Sequence, residues 1–416
     1  MTRRAGILLV VSTTASLAAC GDAPPSSSAA SNAAATAQSS AAAAPSQASA
    51  AEFGAAGVAP RFEIDPFWPK PLPNHWLLGS TIGVSVDSRD HVWIIHRQQS
   101  LNAETEASAG MNTPTGTCCL AAPNVIELDA QGNVASSWGG PGAGYDWPTS
   151  NHGITVDHMD NVWIGGNDVK DAHVLKFSRS GQFLLQLGKP EQNKGSNDPV
   201  NFWRVAKISI DAEANEAYVA DGYGNKRVVV IDMSTGERKR YWGAYGNPPD
   251  DTDLGLYDPA APPAQQFRNP VHCAEPSRDG FVYVCDRVND RIQVFRKDGS
   301  FVDELRVAPQ TRGGGSVWDI AFSKDPGQTY VFLADGGNER VWIIERATMQ
   351  ILTSFGDGGR QPGQFFGVHS IATDSQGNIY TTETFEGKRV QKFVNLGLAP
   401  VESAYVGVVW PESSAD

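Results

Sequence analysis

The chain has 416 residues, 41% of them hydrophobic and 9% aromatic, which is ample material for a sizeable core. With 33 Lys and Arg against 46 Asp and Glu the net charge is −13, and a sequence pI near 5.1 excludes the basic footprint of a nucleic-acid binder. Charged residues make up only 19%, while 42 glycines and 26 prolines favour a turn-rich architecture over a helical one.

At the N-terminus, Arg3 and Arg4 precede an apolar run from Ile7 to Val11 and a small-residue stretch that ends Ser16-Leu17-Ala18-Ala19-Cys20. Residues 1–19 therefore read as a secretory signal. Leu17-Ala18-Ala19-Cys20 resembles a bacterial lipobox, in which the cysteine is lipidated and becomes the mature N-terminus. The expected location is the bacterial cell envelope, exported and lipid-anchored on the periplasmic side, with the membrane as a partner through that anchor. No later segment approaches the ~18 apolar residues that a membrane helix needs. Residues 20–59 are almost entirely Ala, Ser, Pro, Gly and Gln, too poor in apolar surface to offset ordering entropy, and read as a tether. The folded part is expected over 60–400, with a C-terminal tail over 401–416.

From there a pattern repeats six times: a short apolar strand, a polar turn and a second strand. Val84-Ser85-Val86-Asp87 leads to Val92-Trp93-Ile94-Ile95, and Ile154-Thr155-Val156-Asp157 leads to Val162-Trp163-Ile164. The later copies centre on Ile208-Ser209-Ile210-Asp211, Cys273-Ala274-Glu275, Ile320-Ala321-Phe322 and Ile371-Ala372-Thr373-Asp374. Third strands share a register in Arg227-Val228, Arg291-Ile292, Arg340-Val341 and Arg389-Val390, and fourth strands close on Trp138-Gly139, Leu187-Gly188, Trp242-Gly243 and Phe355-Gly356. Four antiparallel strands per unit, repeated radially, make an all-β, six-bladed β-propeller. Arg61-Phe62-Glu63-Ile64-Asp65 is placed to supply the outermost strand of the last blade and close the ring. Asp221, Asp286, Asp335 and Glu383 recur at the ends of second strands and read as structural acceptors.

In an oxidising compartment the four cysteines after Cys20 permit two disulfides. Cys273 and Cys285 fall on neighbouring strands of one hairpin and form a candidate pair. For the adjacent Cys118 and Cys119 a vicinal bridge, free thiols and bridges to other cysteines all stay open.

One slot, two residues before the centre of each innermost strand, reads Ile82, His152, Ala206, His272, Trp318, His369 across the blades. Histidine occupies the second, fourth and sixth copies. Alternate blades of a six-fold ring are related by about 120°, and innermost strands line the channel. Three imidazoles arriving this way compose a His₃ metal site, suited to zinc or another transition metal, with a position left for substrate. Near the same face stand Arg97, a forked donor for a carboxylate, and Tyr223, a phenol able to give or take a proton.

The repeat resembles the NHL family. More narrowly, Gly83-Val84-Ser85-Val86-Asp87, His96-Arg97, His152-Gly153-Ile154, Asp221-Gly222-Tyr223, His272, Asp286-Arg287 and His369-Ser370-Ile371 resemble the peptidyl-α-hydroxyglycine α-amidating lyases. That resemblance implies zinc on His152, His272 and His369, catalytic roles for Arg97 and Tyr223, and cleavage of an N–C bond in an α-hydroxyglycine to give an amide and glyoxylate. The family also holds a calcium with an aspartate that follows its last histidine. Here that position is Ser370, which leaves backbone carbonyls near Val84 and Ile154 as the ligands for such a second metal. Residues 98–122, with Met111, Cys118 and Cys119, are an insertion able to cap the channel. The expectation is thus a metal-dependent lyase acting as a monomer on a small molecule or peptide. The competing readings are a zinc-dependent hydrolase of a small ester, lactone or amide, and a non-catalytic envelope interaction platform.

Overall fold

The computed structural model describes residues 57–411; the signal segment, Cys20, the tether up to residue 56 and residues 412–416 lie outside the described residues. Six four-stranded antiparallel sheets follow one another along the chain. Their innermost strands are Ser80–Val86, Asn151–Val156, Lys207–Asp211, Val271–Pro276, Asp319–Phe322 and Val368–Thr373. Sheet one steps outward through Val92–Arg97, Val125–Leu128 and Val134–Trp138, and the next four sheets repeat that consecutive order. The sixth is completed from the other end of the chain. Val58–Ile64 pairs antiparallel with Val390–Pro400, Phe62 opposite Asn395, so the ring is closed as expected and the last blade has no open edge on that side. The tail is docked as well: Val409 O accepts from Ile64 N at 2.8 Å, and Gly407 O from Gly356 N at 2.8 Å.

The core lies between blades. Ile82, Trp93 and Ile95 of blade one pack against Ile154, Val162, Ile164, Leu175 and Phe177 of blade two, all buried. The alternation seen in the sequence arises here, because every second strand residue enters such an interface. Trp93 and Trp163 are wholly buried, and each indole N–H is satisfied by the aspartate that ends the preceding strand: Asp87 at 3.1 Å and Asp157 at 3.0 Å. The same aspartates accept backbone N–H groups of their hairpin turns, which explains the repeated apolar-Asp-turn-apolar-Trp pattern.

The acidic residues ending the second strands are structural. Asp221 accepts from Arg227 Nε at 2.8 Å, Asp286 from Arg291 Nε at 2.8 Å and Glu383 from Arg389 Nε at 2.7 Å. The rest of each guanidinium ties down loop carbonyls; Arg227 donates to Ser196, Asp198 and Asn201. Blade five departs from this plan: Asp335 takes the Trp342 indole at 2.9 Å, while Arg340 lies over the Tyr405 ring. Arg227 and Asp221 side chains are both 0% exposed. An Arg227→Met variant strands the buried carboxylate and is expected to lose about 3–5 kcal/mol of stability in denaturant titration. A loss below about 1 kcal/mol would show that the clamp does not hold the blade.

Cys273 and Cys285, on the hairpin of blade four, are disulfide-bonded, and so are Cys118 and Cys119. The insertion is anchored on both sides of blade one. Gln99 donates to Thr149 O ahead of blade two, and Glu106 pairs with Lys388 of blade six at 2.9 Å.

Candidate metal centre

The inner strands of blades one, two, four and six do not pair regularly. Their register shifts between Thr81 and Gly83, His152 and Ile154, Val271 and Ala274, and Val368 and Ser370. These bulges fall at the slot that carries histidine, and a bulge re-aims the side chain it contains. At the bulge in blade two, Gly153 has φ +68° and lies against the Ala206 carbonyl, where a side chain has no room.

His152, His272 and His369 come together across the channel with candidate ligand atoms no more than 4.8 Å apart, all three residues buried. Each Nδ1 is engaged behind its ring. His152 donates to Ala206 O at 2.7 Å, His272 to Trp318 O, and His369 to Ser370 Oγ at 3.2 Å. Those bonds fix the tautomers and leave each Nε2 lone pair facing the others, the arrangement that metal-binding histidines require. The two supporting carbonyls belong to Ala206 and Trp318, the slot residues of blades three and five. The non-histidine copies of the slot therefore orient the histidine copies.

Burial holds all three imidazoles well below the ordinary histidine value, reinforced at His152 first by Arg97, at His272 by Arg287 and at His369 by the other two rings. Neutral imidazole is the ligand form. A ring with a depressed pKa stays neutral until the pH falls through that lower value, so proton competition for Nε2 starts lower than usual. Metal affinity is expected to be flat between about pH 6 and 7.5, where three imidazoles at the ordinary value would together lose about 50-fold. A competition titration with a chromophoric chelator at both pH values reads this, and a fall of that size would contradict it.

Tyr223 reaches the same point. Its hydroxyl lies 3.1 Å from His152 Nε2, 3.0 Å from His272 Nε2 and 3.1 Å from Arg287 Nη1, which donates to it. Arg97 is held by Asn151 O and by Asn167 Oδ1, the latter at 2.9 Å, leaving its other N–H groups for a ligand. The structure therefore brings together all five residues marked in the sequence. Arg287 is an addition. It follows Asp286 at the end of a second strand, stacks on Trp318 with its guanidinium carbon 4.2 Å from the ring centroid, and donates to Gly314 O at 2.8 Å. In the sequence it stands beside a structural aspartate, and its position relative to the strand end, like that of Gly222-Tyr223 after Asp221, is the one signal that marks it. His96, next to Arg97, turns away: it accepts from Gly79 N and faces Pro123 O, with burial lowering its pKa to about 4.

Two other cation sites are not supported. Asp87, His91 and Glu127 also cluster, but Arg179 of blade two inserts among them and pairs with both carboxylates. Val84 and Ile154 line the channel next to the triad, in a space shared with Lys207, Asp319 and Ser370. There the Lys207 ammonium lies 2.7 Å from Asp319 and 2.7 Å from Glu275. A hard cation needs six or more oxygen ligands. Here the carboxylates are already spent on an ammonium, so these residues do not fit a calcium.

No family model matches the chain. A peptidyl-α-hydroxyglycine α-amidating lyase of Drosophila melanogaster is 27% identical over 356 residues, which is 80% of this chain and 59% of that protein. A peptidyl-glycine α-amidating monooxygenase of Xenopus laevis is 31% identical over 236 residues, 55% of this chain and 24% of that one. The mouse NHL repeat-containing protein 3 is 24% identical over 286 residues, 67% of this chain and 65% of that one. Homologues of this propeller include amidating lyases and NHL-repeat proteins. The chain spans less than two thirds of the length of each of the three. Among these relatives the named activities are those of a lyase and a monooxygenase, and the present chain holds a buried trio of histidines.

Proposed function

We propose that the protein is a metal-dependent lyase that cleaves an N-acylated α-hydroxyglycine to an amide and glyoxylate. The observation that carries this reading is the Tyr223 hydroxyl, set between two imidazole Nε2 atoms and the Arg287 guanidinium. Three neutral imidazoles suit zinc or a similar divalent transition metal, which would supply Lewis acidity at the substrate hydroxyl.

The chain's own groups do the rest. Arg97, braced by Asn151 and Asn167, presents free N–H groups to the substrate carboxylate. Tyr223, acting as the phenolate with Arg287 as its counter-cation, takes the proton of the substrate hydroxyl and becomes the phenol. As the carbon–oxygen bond becomes a carbonyl, the C–N bond breaks and its electron pair goes to nitrogen. Tyr223 then returns the proton to the departing amide, so atoms and charge balance. Donors fixed before the reaction, as these are by stacking and backbone bonds, are worth of order a few kcal/mol each.

The test is glyoxylate release from an N-acyl α-hydroxyglycine by the metal-loaded protein. Stoichiometric amide and glyoxylate support the lyase. Turnover of esters, lactones or amides without glyoxylate would replace it with the hydrolase that the same ligands permit. A substrate carboxylate gives the forked donor of Arg97 a purpose that a neutral ester does not, which favours the lyase. We extend the proposal to an envelope lipoprotein held through Cys20, monomeric and acting on a small molecule or peptide. Among the described residues no helix is long and apolar enough to cross a membrane. Fractionation of a Cys20→Ser variant tests the anchor: continued membrane association would refute it.

A further inference from the structure

The channel beside the triad holds a cation that belongs to the chain. Lys207 begins the inner strand of blade three, its side chain only 13% exposed, and its ammonium bridges Asp319 of blade five and Glu275 of blade four. Asp319 accepts three hydrogen bonds: Oδ1 from Lys207 and from Ile320 N at 2.9 Å, and Oδ2 from Ile371 N of blade six at 3.1 Å. Glu275 is fixed by Ser209 Oγ at 2.7 Å. Blade six contributes Ser370, whose hydroxyl donates to Ile82 O. One lysine thus links three blades, and Asp319 extends the network to a fourth, at a point bordered by Val84, Ile154 and Ser370.

Its neighbours connect this network to the imidazoles. Ala206, directly before Lys207, accepts the His152 Nδ1 proton, and Trp318, directly before Asp319, accepts that of His272. The Lys207–Asp319 pair therefore ties together the two peptide segments whose carbonyls set those rings. We infer that Lys207 takes the place of a second metal in this channel and acts as a positioning residue for His152 and His272. The first half stands whether or not the triad binds metal. The second rests on the metal reading above.

The two halves have separate readouts. In the full-length protein treated with EGTA, millimolar calcium is expected to leave the thermal midpoint unchanged. A Lys207→Ala/Ser370→Asp double variant, which removes the ammonium and adds a carboxylate, is expected to gain a calcium-dependent rise that magnesium does not reproduce. A calcium-dependent rise in the parent would overturn the replacement. For the brace, Lys207→Met is expected to weaken zinc binding at the triad about 10–100-fold, with Lys207→Arg restoring most of it. Undiminished zinc affinity in a folded Lys207→Met would overturn the positioning role, as would loss of affinity in a folded Lys207→Arg equal to that in Met. If Lys207→Met does not fold, Lys207→Gln is read in its place, and undiminished zinc affinity there would equally overturn the positioning role.

Discussion

Replacing His272 by alanine is expected to remove the metal from the protein and lower any lyase turnover by about 10³-fold or more. Three protein ligands are the minimum that an open catalytic centre keeps, and the other two imidazoles stand on different blades with no fourth candidate among the described residues beside them. Lewis acidity at a reacting oxygen is worth several kcal/mol, and each 1.36 kcal/mol is about tenfold in rate. The fold should survive. The inner strand of blade four stays paired with its neighbour, and the adjacent Cys273–Cys285 bond holds the hairpin. The cost is the ring's packing and the bond to Trp318 O, about 1 kcal/mol for the latter. A folded variant with full metal content would remove His272 from the centre.

Tyr223→Phe is expected to behave differently: metal retained, turnover down about 10²–10⁴-fold, the range of a positioned proton-transfer group. The ring would still pack edge-on against His152 and His272, at centroid distances of 4.9 and 5.5 Å. The loss is the hydroxyl, and with it the contacts to both Nε2 atoms and to Arg287. Should the variant lose its metal, or keep parental turnover, the phenol's part in proton transfer falls.

The His₃ set was legible because six copies could be laid in one register and histidine fell on alternate ones. The closing strand was legible too, since Phe62 and Ile64 repeat the period of a strand whose partner had to come from the last blade. What the register did not reveal is how the histidines are aimed. The bulges at His152, His272 and His369 depend on backbone pairing that leaves no mark in residue type, apart from Gly153. Arg287 stayed hidden because its reach depends on stacking against Trp318, a residue of the next blade. Lys207 was the least legible. A lysine at a strand start normally faces water, and only the convergence of Asp319 and Glu275 from two further blades makes a buried ammonium tolerable. The second metal expected at the carbonyls near Val84 and Ile154 does not fit for that reason, since a list of donors does not show that an ammonium paired with Asp319 shares their pocket.

The proposed chemistry rests on the three imidazoles holding a metal. Elemental analysis of the purified full-length protein, run beside His272→Ala, tests it most directly. One equivalent of zinc or another transition metal per parent chain is expected, restorable after chelation, and none in the variant. A folded parent that carries no such metal and takes none up would contradict it, and would leave the propeller without the centre proposed for its chemistry.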